Sequence, residues 1–203
     1  MSDGAAFDPQ TLSWYDAQAR DYANRPRNVA YKELGEFLAL LPPGGTVLEL
    51  GCGGGQDAEE MIRRGFDVTP TDGSTGLAAQ AEARLGLPVR VMRFDELDAV
   101  AAYDGVWANA CLLHVGLAEL PAILARIRRA LKPGGVFMAS YKAGAGGARD
   151  SHGRFFNFPS ERELAEAYAA SGDWVMLEAR RRLGGSYDQV PQEWLGVGVR
   201  RPL

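Results

Sequence analysis

At 203 residues the chain is long enough for one substantial core and too short for two full domains. Its 46% hydrophobic and 24% charged residues are those of a soluble globular protein, and a net charge of −4 argues against nucleic-acid binding through a generally basic surface. No run approaches the ~20 apolar residues that cross a bilayer, the polar start of the chain holds no basic-then-apolar leader, and Cys52 and Cys111 make no disulfide framework or metal site and fit a reducing cytoplasm.

Residues 1 to about 10 offer little to bury and read as loose. Between Leu12 and Ala23, Trp14, Tyr15 and Tyr22 stand among polar residues, and Pro26 interrupts the region. Ala30 to Leu41 reads as an amphipathic helix through Tyr31, Leu34, Phe37, Leu38 and Leu41, stopped by Pro42-Pro43-Gly44-Gly45. Thr46 to Leu50 is a short strand buried on both faces that runs into a glycine turn at 51, 53 and 55. A helix over Ala58 to Arg64 follows, then a strand from Phe66 to Thr71 that closes at Asp72. Pro70 sits awkwardly there: its missing N–H requires either a bulge or a ladder position that faces no partner.

Ser74 caps a helix running to about Leu85, Val89 to Phe94 is a third strand ending at Asp95-Glu96, and Tyr103 to Asn109 is a fourth. Leu120, Leu124, Ile127 and Leu131 share one face of a helix from Glu119 to Leu131, which Lys132-Pro133-Gly134-Gly135 ends before a fifth strand, Val136 to Tyr141. Lys142 to Gly153 reads as a mobile, glycine-rich loop. Ser160 and Glu163 have capping-box spacing at the start of a helix to Ala170. Trp174 to Arg181 and Glu193 to Arg200 are strands whose connection is too short for a crossover, so they pair antiparallel. The strand–helix alternation argues for one domain: a mostly parallel sheet with helices on both faces.

A strand, a side-chain-free turn and a helix start bring backbone N–H groups close to a ligand. The dinucleotide fingerprint wants glycine at the first, third and sixth positions of such a turn; here the sixth is Gln56. Glu49 stands two positions before Gly51, and its carboxylate repels a pyrophosphate but suits a cofactor carrying an ammonium and a sulfonium. Asp72, 21 positions after Gly51, is placed to accept hydrogen bonds from both ribose hydroxyls, whereas alone it would read as a solvated turn. Asp95 reads either as an acceptor for an adenine amino group or as a surface acid. His114, past the fourth strand, acts as a general base, orients an acceptor, or is a histidine packed at a helix start. Tyr141 lines an acceptor pocket or belongs to the core edge. His152 lies exposed in the glycine loop, Arg154, Phe155 and Phe156 anchor that loop or touch an acceptor, and Arg180 to Arg182 form a solvated basic run.

Together, Glu49-Leu50-Gly51-Cys52-Gly53-Gly54-Gly55, Asp72, Phe94-Asp95 and Leu131-Lys132-Pro133-Gly134-Gly135 resemble the class I S-adenosylmethionine-dependent methyltransferases, closely over residues 45–141 and by layout elsewhere. The resemblance implies a doubly wound, Rossmann-like α/β domain with a seven-stranded sheet, six strands parallel and the last antiparallel. It implies Gly51, Cys52 and Gly53 against the methionine part of the cofactor with Glu49 nearby, and Asp72 on the ribose flanked by Gly73 and Ser74. Asp95 and Glu96 would edge the adenine, and Asn109 and Ala110 would meet the methionine amino group. Tyr15-Asp16-Ala17-Gln18-Ala19-Arg20-Asp21-Tyr22 is similar to a subfamily pattern that forms an N-terminal lid, here residues 1–44, with Arg25 placed to pair with the cofactor carboxylate. Residues 142–203 would form the acceptor side. The layout is also similar to small-molecule methyltransferases of the tellurite-resistance type.

The expectation is methyl transfer from S-adenosylmethionine to a small molecule by in-line displacement, in a cytoplasmic monomer or homodimer. His114 and Tyr141 are the candidate catalytic residues, and neither metal, nucleic acid nor membrane is involved. The alternatives are a nicotinamide oxidoreductase, against which Gln56 and Glu49 count, and a non-catalytic protein that binds the same cofactor.

Overall fold

A computed structural model of the chain describes residues 6–25, 31–185 and 190–203; Pro26, Ala30 and the side chain of Tyr31 lie outside the described residues. The chain opens with α1 (Pro9–Ala17), α2 (Ala19–Asn24) and α3 (Tyr31–Ala39). β1 (Thr46–Leu50), α4 (Gln56–Arg63), β2 (Asp67–Asp72), α5 (Thr75–Leu85), β3 (Arg90–Val91) and β4 (Tyr103–Ala108) follow. After α6 (Leu120–Ala130) and β5 (Leu131–Lys142) come β6 (Gly147–Arg149), β7 (Phe155–Asn157), α7 (Glu161–Ala170), β8 (Val175–Gly185) and β9 (Pro191–Arg200).

Seven strands form one sheet in the order β3-β2-β1-β4-β5-β9-β8. β9 runs antiparallel to both β5 and β8, and the other neighbours are parallel. Six strands therefore share one direction and the last in the chain opposes them, as expected. Both faces are covered because β-strand side chains alternate. Val47, Val68, Trp107, Val136 and Met138 pack against Leu34, Phe37 and Leu38 of α3 and Met61 of α4. Leu48, Leu50, Val106, Phe137 and Tyr141 pack on the opposite face against Ile123, Leu124 and Ile127 of α6 and Leu164 and Tyr168 of α7. Full burial of one such side chain contributes roughly 1.5–3 kcal/mol, so these contacts, rather than helix propensity, hold the layers together.

The structure corrects several boundaries. Asp8 caps α1, accepting from Thr11 N at 2.9 Å, so residues 8–10 are ordered rather than loose. The expected third strand shrinks to Arg90–Val91 because the Glu96 carboxylate accepts from Arg93 N at 2.8 Å and curls Phe94–Glu96 into a 3-10 turn. Within the expected mobile loop, β6 pairs with β7 as a small antiparallel hairpin. Lys132 to Gly135 extend β5 toward its start, with a register shift against Tyr103 and Gly105, instead of preceding it. Pro70 lies opposite Glu49 in regular register with β1. Asp72 O accepts from Met92 N on the β3 side, so Pro70, two residues earlier, faces that side too, where pairing begins only at Thr71. The second of the two alternatives for Pro70 is the one realised.

Candidate functional site

β1 leads outward on one side of the sheet and β4 on the other, so a crevice opens between their C-terminal ends, where open α/β sheets bind ligands. The glycine turn fills its floor. Gly51 and Gly53 are left-handed, at φ 63° and 58°, and a Cβ on Gly51 would lie 2.5 Å from Cys111 Cβ. A side chain there would displace the loop that follows β4. Asp72 is the floor's acid: Gly53 N donates to one carboxylate oxygen at 2.8 Å and Ser74 N to the other at 2.8 Å. Each oxygen keeps a further lone pair. Burial pushes Asp72 up to about 6 from its ordinary 3.8, against the pull of these two N–H groups and with Asp16 adding to the rise.

α1 and α2 roof the crevice. Asp16 ties the roof to α5 by accepting from Ser74 Oγ at 2.6 Å and Gly76 N at 2.9 Å. Asp8 and Thr11 tie its other side to the hairpin: Arg149 clasps the Asp8 carboxylate with two nitrogens at 2.8 and 2.9 Å, and Phe155 N donates to Thr11 Oγ1 at 2.8 Å. Arg149 holds Asp8 down at about 2. A cavity of about 80 Å³, open to solvent, remains between roof and floor. Its lining includes the apolar Leu12, Leu77, Met92 and Phe94 together with Tyr15, Tyr22, Ala110 and His114. No group of His, Cys, Asp and Glu suited to a metal ion occurs among the described residues.

Of the expected site residues, Tyr15, Tyr22, Gly51, Gly53, Asp72, Gly73, Ala110 and His114 line this space. The others do not. Cys52 lies buried beneath the turn against Ala78, Ala81 and Val89, and burial pushes its thiol up. Ser74 is the N-cap of α5 and is fully buried. Glu49 is buried on the strand between Leu48 and Leu50, which face the α6 side. Arg25 lies 3.4 Å from the centre of the Tyr22 ring and donates to Tyr22 O at 3.1 Å. Asp95 binds Arg93 at 3.0 Å, and Glu96 closes the turn at Arg93, so neither acid joins the pocket wall. Asn109 donates to buried Asp57 at 3.1 Å and accepts from Ser140 Oγ at 2.7 Å.

Tyr141 is a correction. It is fully buried with its hydroxyl 3.2 Å from that of Tyr168, because on β5 it shares the α7 face with Phe137 and Ala139. His152, though exposed, has its ring 5.3 Å from that of Trp14 rather than standing apart. Sequence reasoning missed Leu12, Leu77 and Met92 as wall residues; Leu77 and Met92 read simply as helix and strand positions, and Leu12 only as the start of the aromatic stretch.

His114 is held from both sides. Its Nδ1 is 2.6 Å from Phe155 O and its Nε2 is 2.9 Å from the Tyr15 hydroxyl. Arg154 Nη1 donates to the same hydroxyl at 3.3 Å. Arg154 is itself buried, bonded to Asp150 through Nε at 2.9 Å and Nη2 at 2.6 Å, with its guanidinium 4.2 Å from the Trp14 ring. Burial chiefly, and then Arg154 and Lys142, push His114 down to about 4 against the pull of Phe155 O.

A sheet wound both ways from β1 and β4, a glycine turn at the switch point, an acid ending β2 and a helical roof define a class I S-adenosylmethionine-dependent methyltransferase fold. The comparisons agree with that fold: residues 47–135 match the family described as a methyltransferase domain. The ubiquinone biosynthesis O-methyltransferase of Paramagnetospirillum magneticum is 32% identical over 152 residues, 67% of this chain. The chain spans 60% of that relative's length. Among solved structures, the Burkholderia thailandensis 1,6-didemethyltoxoflavin-N1-methyltransferase, with bound 1,6-didemethyltoxoflavin and S-adenosylhomocysteine, superposes with a TM-score of 0.73 at 24% identity. That match covers 96% of this chain and 88% of the other. TehB from Haemophilus influenzae superposes at 0.70 with 18% identity, covering 93% and 67%. The expected tellurite-resistance likeness is therefore one of fold.

Proposed function

We propose that this chain transfers the methyl group of S-adenosylmethionine to a small-molecule acceptor by in-line displacement. The observation that carries the proposal is the buried Asp72 carboxylate, held open by two backbone N–H groups at the floor of a glycine-lined crevice. The residues present fit the cofactor. Gly51 and Gly53 present bare backbone to the space its methionine part would take, the remaining Asp72 lone pairs suit two ribose hydroxyls, and Leu12, Leu77, Met92 and Phe94 offer apolar surface for a planar base. Tyr15 and Tyr22 close the roof and exclude water. When bound, the cofactor supplies a methyl sulfonium that is already activated, so the chain's own task is alignment. The acceptor class is supported by relatives named for ubiquinone biosynthesis and for a toxoflavin precursor.

Calorimetry with S-adenosylmethionine, S-adenosylhomocysteine and NADH tests the cofactor, and methyl transfer to a panel of small phenols, amines and thiols tests the reaction. Both S-adenosyl compounds should bind and NADH should not. NADH binding without S-adenosylmethionine binding would overturn the proposal, and cofactor binding with no transfer across the panel would support a non-catalytic binder instead.

A further inference from the structure

His114 invites the role of general base, yet its hydrogen bonds fix its protons otherwise. A carbonyl oxygen only accepts, so the 2.6 Å contact with Phe155 O places a proton on Nδ1. In a neutral ring Nε2 then carries no proton and accepts from the Tyr15 hydroxyl 2.9 Å away. The Tyr15 oxygen in turn accepts from Arg154 Nη1 at 3.3 Å. Every donor in this chain has a direction, and it points from Arg154 through Tyr15 into His114.

We propose that His114 is a positioning residue: Nε2 fixes the Tyr15 ring in the pocket roof by accepting its hydroxyl proton in a hydrogen bond, and does not collect a proton from a methyl acceptor. A protonated ring would make both nitrogens donors, break the bond to Tyr15 as drawn, and set a second cation beside Arg154. The groups facing the ring agree with a neutral state. Tyr15 comes from α1, and Arg154 and Asp150 come from the turn between β6 and β7. Lys142 comes from the end of β5, and the Phe156 ring lies 4.6 Å away. Tyr22 of α2 also bonds Tyr15. Two cations and one paired acid surround the imidazole, which leaves little to stabilise a charge on it. His114 thus joins three separate segments, α1, the loop after β4 and the β6–β7 hairpin, through one ring.

The chain has only two histidines, so nitrogen-15 spectra of the histidine-labelled full chain resolve both rings. One ring should show the Nδ1-protonated neutral tautomer and stay neutral from pH 7.5 to 5; titration of both rings near 6.5 would overturn the proposal. In calorimetry with S-adenosylhomocysteine, His114→Gln should stay within about threefold of the parent, because an amide oxygen can accept from Tyr15. His114→Ala and Tyr15→Phe should each bind about tenfold more weakly, and the double variant no more weakly than the poorer single one. Parent-like affinity in Tyr15→Phe, His114→Gln as weak as His114→Ala, or additive losses would each overturn it. If His114→Ala fails to fold, His114→Gln, Tyr15→Phe and the spectra still decide. The affinity arm rests on the methyltransferase reading and the spectra do not: a parent chain that ignores S-adenosylhomocysteine would sink that reading while the tautomer remained measurable.

Discussion

Replacing Asp72 by asparagine and, separately, His114 by glutamine should expose two opposed pH dependences that nearly cancel in the parent. Asp72 is raised in the folded chain from 3.8 to about 6. Between those values the folded state binds more protons than the unfolded one, so its contribution falls as pH rises. At about 1.4 kcal/mol per tenfold change in proton affinity, the loss is about 3 kcal/mol. His114 moves the other way, from 6.5 down to about 4. Over that window the unfolded state binds the extra proton, so stability rises with pH, by about 3 kcal/mol on the same scale. Urea melts at pH 4, 5, 6 and 7 therefore read nearly flat contributions from the pair in the parent. Asp72→Asn should gain stability from pH 4 to 6 relative to the parent, and His114→Gln should lose it from pH 4 to 6.5. Slopes are compared rather than levels, so a fixed cost of either substitution drops out, as do the other carboxylates common to all three chains. Three parallel profiles would refute the reasoning.

Asp72→Ala should weaken S-adenosylmethionine binding by about 100-fold or more, since two hydrogen bonds to a charged group are each worth about 1.5–3 kcal/mol; unchanged affinity in calorimetry would remove Asp72 from the ribose site. Gly51→Ala meets both a left-handed φ of 63° and Cys111 Cβ at 2.5 Å, and thermal melts should show a loss of about 2 kcal/mol or more. Tyr141→Phe removes only the bond to Tyr168, so stability should fall by about 1 kcal/mol while cofactor affinity stays at the parent value; a loss of cofactor binding would return Tyr141 to the site.

What could be read from the sequence was short-range. The Ser74 cap, the Ser160–Glu163 capping box and the glycine turn each depend on backbone chemistry within a few residues, and the structure places all three as expected. Asp72 could be found for the same reason, as an acid at a strand end a fixed distance from the turn. Facing was harder. Tyr141 and Asn109 both end strands at the correct rim, but a two-residue period says which residues share a face, not which face meets the ligand. Here one meets Tyr168 under α7 and the other meets Asp57. Asp95 has a local competitor that the sequence reading did not weigh, Arg93 two residues away, which donates to it. The Tyr15–His114–Arg154 chain spans 99 and 139 positions, beyond any local signal. The hairpin that carries Arg154 was hidden by its glycines, which read as a loop.

The roof's two seams differ in kind. On the α5 side, Asp16 accepts from Ser74 Oγ, and Ser74 is itself fully enclosed. On the hairpin side, the Asp8–Arg149 pair is open to water, with 44% of the arginine side chain exposed. An exposed pair is worth about 0–1 kcal/mol and is screened by salt. Added electrolyte therefore weakens the Asp8–Arg149 clasp, while Phe155 N, donating to the buried Thr11 hydroxyl, and the buried Arg154 beside Tyr15 still hold α1 to the hairpin.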